Sequence, residues 1–170
     1  MPELTDPLKA LLSFQRALQN RMVVPRPGEL DPSVLVYADR PAGEPRFTYV
    51  RLEGPKVAAL VNFTPSDPFE PGIPCYGIGY AVHQNFRGQG RAQSLVKAAI
   101  AELRNGLARN GIPIFHIEAI VGADNIASQR VAAATLSPDA KPETDQYSGV
   151  PIFQYVRKVE ARHRSDTTSS

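Results

Sequence analysis

The sequence holds a single cysteine, Cys75. One thiol cannot close an internal disulfide, so a disulfide-framed scaffold is excluded and a reducing, cytoplasmic setting is expected. As a nucleophile Cys75 is poorly supported: it follows Pro74, and no catalytic histidine can be assigned to it from the sequence. No apolar run approaches the roughly 20 residues of a membrane span. Residues 1–5, Met-Pro-Glu-Leu-Thr, lack the basic start and apolar core of a secretory signal. No grouping of His, Cys and Asp has metal-ligand spacing, so no metal is expected. Charge of one sign is scarce too. The net charge is +2 with both signs mixed along the chain, which leaves no basic stripe for a nucleic-acid backbone. The local exception, Arg157-Lys158 with Arg162-His163-Arg164, reads as a solvated tail.

What is present centres on residues 76–107. Residues 76–82 (Tyr-Gly-Ile-Gly-Tyr-Ala-Val) read as a strand, followed by the loop Arg87-Gly88-Gln89-Gly90-Arg91-Ala92 and a helix opening near Gln93. Leu95, Val96, Ala99, Ile100, Leu103 and Leu107 recur at three- and four-residue steps and form its apolar stripe, and Asn105-Gly106 is the expected C-terminal end. The first N–H groups of a helix lack internal acceptors and carry the positive end of the macrodipole. Gly88 and Gly90 permit the positive φ that turns N–H groups inward, and Arg87 and Arg91 flank them as forked donors. The whole is a phosphate cradle. It is not a Walker loop, which needs Gly-Lys-Ser/Thr. Nor is it a dinucleotide fingerprint, because Gly77-Ile78-Gly79 runs on into Tyr80-Ala81-Val82.

Along the rest of the chain, Asp6-Pro7 starts a helix carrying Leu8, Leu11, Leu12, Leu18 and Met22, which Pro25, Pro27 and Gly28 end. A proline-rich stretch over 25–45 contains one apolar piece, residues 34–37, as a first strand. Residues 46–52 and 56–63 alternate around Glu53-Gly54-Pro55 as a hairpin. Residues 64–74, with Pro65, Pro68, Pro71 and Pro74, are expected to be loop. Residues 113–121 form a strand buried on both faces, parallel to 76–82 through the intervening helix. Residues 126–136 read as a helix stopped by Pro138 and Pro142, residues 147–159 as a last strand, and 160–170 as a polar tail. One domain over 1–159 is expected, with its motif-bearing core at 76–136.

Residues 81–92, Ala-Val-His-Gln-Asn-Phe-Arg-Gly-Gln-Gly-Arg-Ala, resemble the acetyl-CoA-binding motif of the GNAT N-acetyltransferases. That family's Arg/Gln-x-x-Gly-x-Gly/Ala matches at positions 87, 90 and 92. Residues 117–131 resemble a second family segment, in the Rim-type (ribosomal-protein N-acetyltransferase-like) branch: Glu118-Ala119, then Asn125, Ser128, Arg130 and Val131. Over roughly residues 45–158 the order of elements is also the family's. The resemblance implies a single-domain α/β (α+β) GNAT-like fold, with a mixed central sheet, a β–α–β acyl-CoA-binding core and flanking helices. It implies acetyl-CoA as cofactor, with Val82, Arg87, Gly88, Gln89, Gly90, Arg91, Ala92, Asn125 and Ser128 as contacts. It also implies direct transfer of an acetyl group to a primary amine of a small molecule or of a peptide or protein N-terminus.

Such transfer needs a base to take the amine proton, an N–H aimed at the thioester oxygen and a donor to the departing sulfur. The resemblance assigns the N–H near Val82, where the strand splays from its parallel neighbour, and the sulfur donor to Ser128. Glu118 is the leading base, since a buried carboxyl there would have its pKa raised towards neutrality. Helix capping by Asn125 and a structural place for Glu118 stay open beside these roles. His116, on the same strand face as Glu118, reads as structural, and His83 as a surface residue. The sequence departs from the family at Ala132, where many members carry a general-acid tyrosine. It departs again at residues 135–138, where Gly-Phe is missing, and residues 139–145 are expected to form an unusual substrate-side loop. The departures leave a non-catalytic acyl-CoA-binding or sensor module as the alternative. A binder of another phosphorylated ligand or of nucleic acid, through Arg87, Arg91 and the basic tail, is a further one. Acceptor and oligomeric state, a homodimer included, stay open.

Overall fold

The computed structural model describes residues 6–161; the basic group at 162–164 and most of the polar tail lie outside the described residues. Helix α1 spans Pro7–Gln19, with Asp6 Oδ1 accepting from the Leu8 N–H at 3.0 Å. It ends before Met22, because the chain turns left-handed at Arg21 (φ 55°) ahead of the prolines. Its Leu11 is fully buried among Val50, Val57 and Leu60.

The strands are β1 (Arg26–Pro27), β2 (Leu35–Asp39), β3 (Arg46–Glu53), β4 (Lys56–Ser66), β5 (Cys75–Val82), β6 (Ile114–Gly122), β7 (Lys141–Thr144) and β8 (Pro151–Glu160). They form one mixed sheet in the order β1-β2-β3-β4-β5-β6-β8-β7. All neighbours are antiparallel except β5 and β6, which are parallel as expected of the β–α–β unit. Parts of two expected loops are strand instead. β4 continues through Pro65 to Ser66, because Pro65 and Ser66 lie opposite Tyr76 and Cys75 at the start of β5. Within 139–145, residues Lys141–Thr144 add an edge strand to β8, where the missing N–H of Pro142 is tolerated.

Helix α2 runs from Arg91 to Arg109, and α3 from Ile126 to Thr135. Asn105-Gly106 does not end α2. The helix continues so that Leu107 completes the buried stripe, and the left-handed glycine is Gly111 (φ 82°). The stripe packs on Tyr49, Val61, Phe63 and Ile117, so α2 and α3 cover one face of the sheet while α1 covers part of the other.

One carboxylate lies on the buried face of α2. Glu102, 7% exposed, accepts from the N–H groups of Glu29, Leu30 and Asp31 at 3.1, 2.8 and 2.7 Å. It pins the proline-rich segment to the helix. Only glycine fits at 28, where a Cβ would stand 2.6 Å from the Asp31 carbonyl and 2.7 Å from Glu102 Oε1. Glu102→Ala strands three half-buried donors, so urea unfolding is expected to show a loss of about 3 kcal/mol. A change under about 0.5 kcal/mol, the size of a neutral surface substitution, contradicts that role for Glu102.

Candidate active site

The β5–β6 pairing is short. Register covers Cys75 with His116, Tyr76 with Ile117 and Gly77 with Glu118, and then stops. Past Gly77, β5 stays with β4 while β6 stays with β8, so a gap opens between them. The His83 N–H donates to the Ala58 carbonyl at 2.9 Å. By the alternation of an antiparallel ladder, Ala81 and Gly79 then face β4. Ile78, Tyr80 and Val82 turn their N–H and C=O into the gap. The expected splay is present, and the Val82 N–H lies on its open side.

At the end of β5, Asn85 and Phe86 close a 3-10 turn, with His83 Nδ1 accepting from the Asn85 N–H at 3.2 Å. His83 is therefore a turn cap. Gly88 and Gly90 adopt φ of 76° and 71°, and Gly90 is the N-cap of α2, which opens at Arg91 rather than Gln93. A Cβ added at either glycine would meet no atom within 4 Å. Among the described residues, no internal acceptor takes the main-chain N–H groups of Gly88, Gln89, Gly90, Arg91 or Ala92. The amides are free and the space above them is open.

A cavity of about 180 Å³ opens here, lined by Arg51, Ala59, Gln89, Gly90, Arg91 and Ser94. That is room for phosphate groups but not for a drug-sized ligand, which needs several hundred Å³. Arg51 was not legible as a site residue. It reaches the cavity because β3 register sets it beside Ala59, which in turn lies beside Val82. Its guanidinium donates to Ser94 Oγ at 2.6 Å and to Asp31 Oδ2 at 2.9 Å. The Ser33 hydroxyl first, and then Arg51, hold the Asp31 carboxyl below its usual pKa. The expected cations are turned to protein partners. Arg91 pairs with Glu53 at 2.8 Å and stacks 5.0 Å from the Phe86 ring centre, while Arg87 Nε reaches the Val82 carbonyl at 3.4 Å.

The second motif lies across the gap. Asn125 Oδ1 accepts from the Ser128 N–H at 3.1 Å, so it does cap α3. The Ser128 carbonyl accepts from the Tyr80 hydroxyl. Glu118 is on the opposite face of the sheet from Tyr80, at the vertex of the gap, 8% exposed. Its two oxygens accept from Ser66 Oγ and Gln154 Nε2, each at 3.3 Å. Those contacts are long, so the carboxylate is held in place without being saturated.

Cys75 and His116 stand side by side in this register, a pairing the sequence could not show. Burial foremost, and then the Glu118 carboxylate, push the thiol up to about 11, against the lowering hydrogen bond with Ser66. His116 instead packs edge-to-face on Phe69 with Nε2 3.6 Å from Glu70. With a pKa near 11, about one thiol in a thousand is ionised at pH 8. Native protein is expected to resist iodoacetamide at that pH and to react once unfolded in urea, as read by mass spectrometry. Rapid native alkylation would mean an exposed thiolate.

Unpaired loop amides and two open left-handed glycines, in a cavity that Arg51 and Arg91 line, fit a diphosphate. The neighbouring gap, bordered by strand edges that no longer pair with each other, fits an extended arm. Together they suit an α/β protein to a diphosphate-bearing ligand with a long chain. The family model described as the acetyltransferase (GNAT) family matches residues 13–136, and the chain belongs to that family of acetyl-CoA-dependent acyltransferases. Among curated proteins no relative matches the chain.

The chain is similar to several solved structures. One is an acetyltransferase from Salmonella typhimurium that modifies the N-terminal serine of ribosomal protein L7/L12, at 24% identity over 68% of this chain and 64% of that one (TM-score 0.45). Another is a putative acetyltransferase from Salmonella typhimurium solved with acetyl-CoA, at 20% identity over 71% and 66% (TM-score 0.49). A third is the ribosomal-protein-S5-alanine acetyltransferase of Vibrio fischeri, at 13% over 94% and 78% (TM-score 0.49). For the first two, the match spans slightly less than two thirds of the other chain's length.

Proposed function

We propose that this protein transfers an acetyl group from acetyl-CoA directly to a primary amine, on a small molecule or at a peptide or protein N-terminus. The observation that carries the reading is the inward-turned edge of β5, left unpaired by β6, beside unpaired amides at the start of α2. Bound acetyl-CoA supplies an acyl group already activated as a thioester. The amides of residues 88–92, with Arg87, Arg91 and Arg51, hold its diphosphate. For this the Arg91 head leaves Glu53, a partly exposed pair worth little in itself. Val82 offers a main-chain N–H to the acyl oxygen, where a fixed donor lowers the barrier because no solvent has to reorganise.

Glu118 works from the other face. A buried, incompletely hydrogen-bonded carboxylate at the vertex of the gap can take the proton of an amine approaching from the face opposite α2 and α3. The two reactants then arrive from opposite sides of one sheet. Asn125 holds the first turn of α3, and through it places Ser128 beside the gap. A non-catalytic acyl-CoA-binding module shares every feature of the cradle and is separated by turnover alone.

Acetyl-CoA incubated with a panel of small amines and short peptides, with free coenzyme A read by a thiol reagent, decides between them. Amine-dependent release supports transfer. Tight binding of acetyl-CoA with no release for any acceptor supports the binding module, and no binding removes both.

A further inference from the structure

We infer that Tyr80 on β5 is the hydrogen-bond donor to the sulfur of the acyl thioester. This rests on reading the β5–β6 gap as the thioester's seat. Register sets Tyr49, Val61 and Tyr80 in one row on the α2–α3 face, at the stretch of β5 that has lost its β6 partner. The phenol crosses to α3. Its O–H donates to the Ser128 carbonyl at 2.5 Å, with the Ser128 side chain and the Ala132 N–H also within hydrogen-bonding reach.

The hydroxyl comes from the strand and ends on the turn of α3 that carries Ser128 and the wholly buried Ala132. Of these two hydroxyls the phenol is the stronger donor, because its oxygen delocalises charge into the ring. Burial first, and then Tyr155, raise the Tyr80 pKa, so the group keeps its proton and acts by hydrogen bonding. As the C–N bond forms and the C–S bond breaks, that bond's electron pair settles on sulfur. Tyr80 turns its O–H from the Ser128 carbonyl to the sulfur without surrendering the proton. The amine proton goes to Glu118, and the thiolate departs with coenzyme A.

The test uses coenzyme A itself as the probe. The ultraviolet absorbance of its thiolate is titrated on the complex, with the protein alone subtracted. In the parent protein the bound thiol is expected to ionise at lower pH than free coenzyme A. In Tyr80→Phe its pKa is expected about one unit higher than in the parent, the scale of one lost hydrogen bond to the charged form, with coenzyme A affinity within about threefold. Replacing Tyr80 by 3,5-difluorotyrosine keeps the shape and strengthens the donor, and should move the thiol the other way. A bound thiol that titrates identically in the parent and in either variant overturns the role of Tyr80. If the parent binds no coenzyme A, the acyl-CoA reading falls and this inference falls with it. Binding with an unmoved titration removes Tyr80 alone.

Discussion

Replacing Gly90 by glutamate is expected to abolish coenzyme A binding while leaving the protein folded. Gly90 sits at φ 71° as the N-cap of α2, and its missing side chain opens onto empty space. A non-glycine residue in the left-handed region costs about 1–2 kcal/mol, which a domain stable by roughly 5–15 kcal/mol survives. The new carboxylate would project where the diphosphate lies and take the same amides and dipole for itself. Loss of affinity by more than 100-fold, about 2.7 kcal/mol, is therefore expected in calorimetric titration, with an unchanged far-ultraviolet spectrum. Gly90→Ala carries the backbone strain without the charge and should lose much less. Unchanged affinity in the glutamate variant would falsify the assignment of this loop to phosphate.

Glu118→Gln should behave in the opposite sense, with binding kept and chemistry lost. The glutamine has the same shape, can still meet Ser66 and Gln154, and cannot accept a proton. With the best acceptor from the amine panel, turnover is expected to fall on the order of 10²–10⁴-fold, the usual contribution of a positioned base. Affinity for coenzyme A should hold within about threefold, because Glu118 faces away from α2 and α3 and contacts no part of the cradle. A glutamine variant that turns over within threefold of the parent would mean that the amine loses its proton elsewhere. Glu118 would then serve only to tie β4, β6 and β8 together.

The cradle was readable from the sequence because each of its determinants is local. Two glycines two residues apart and a helix stripe from Leu95 to Leu107 act through backbone torsions and neighbours within a few residues. The second motif was readable for the same reason, and the capping by Asn125 follows from its standing just before a helix. Where local signals competed with packing, packing prevailed. Asn105-Gly106 resembled a helix end, yet burial of Leu107 carried α2 onward to Arg109. Pro65 and Pro142 resembled loop, yet partners in β5 and β8 drew both into strands.

What the sequence by itself determined is the chemistry on offer: a glycine turn with unpaired amides, a carboxylate on a buried strand and the family to which they belong. What only the tertiary structure decided is which side chains share that chemistry. Arg51 stands 36 residues before Arg87 in the sequence, and it reaches the cradle only because strand pairing carries Ala59 to Val82. Tyr80 meets Ser128 because strand register sets it on the sheet face that α3 covers. Side-chain direction in a sheet reverses with every residue, so register, which is set by contacts between distant segments, determines the face each group takes.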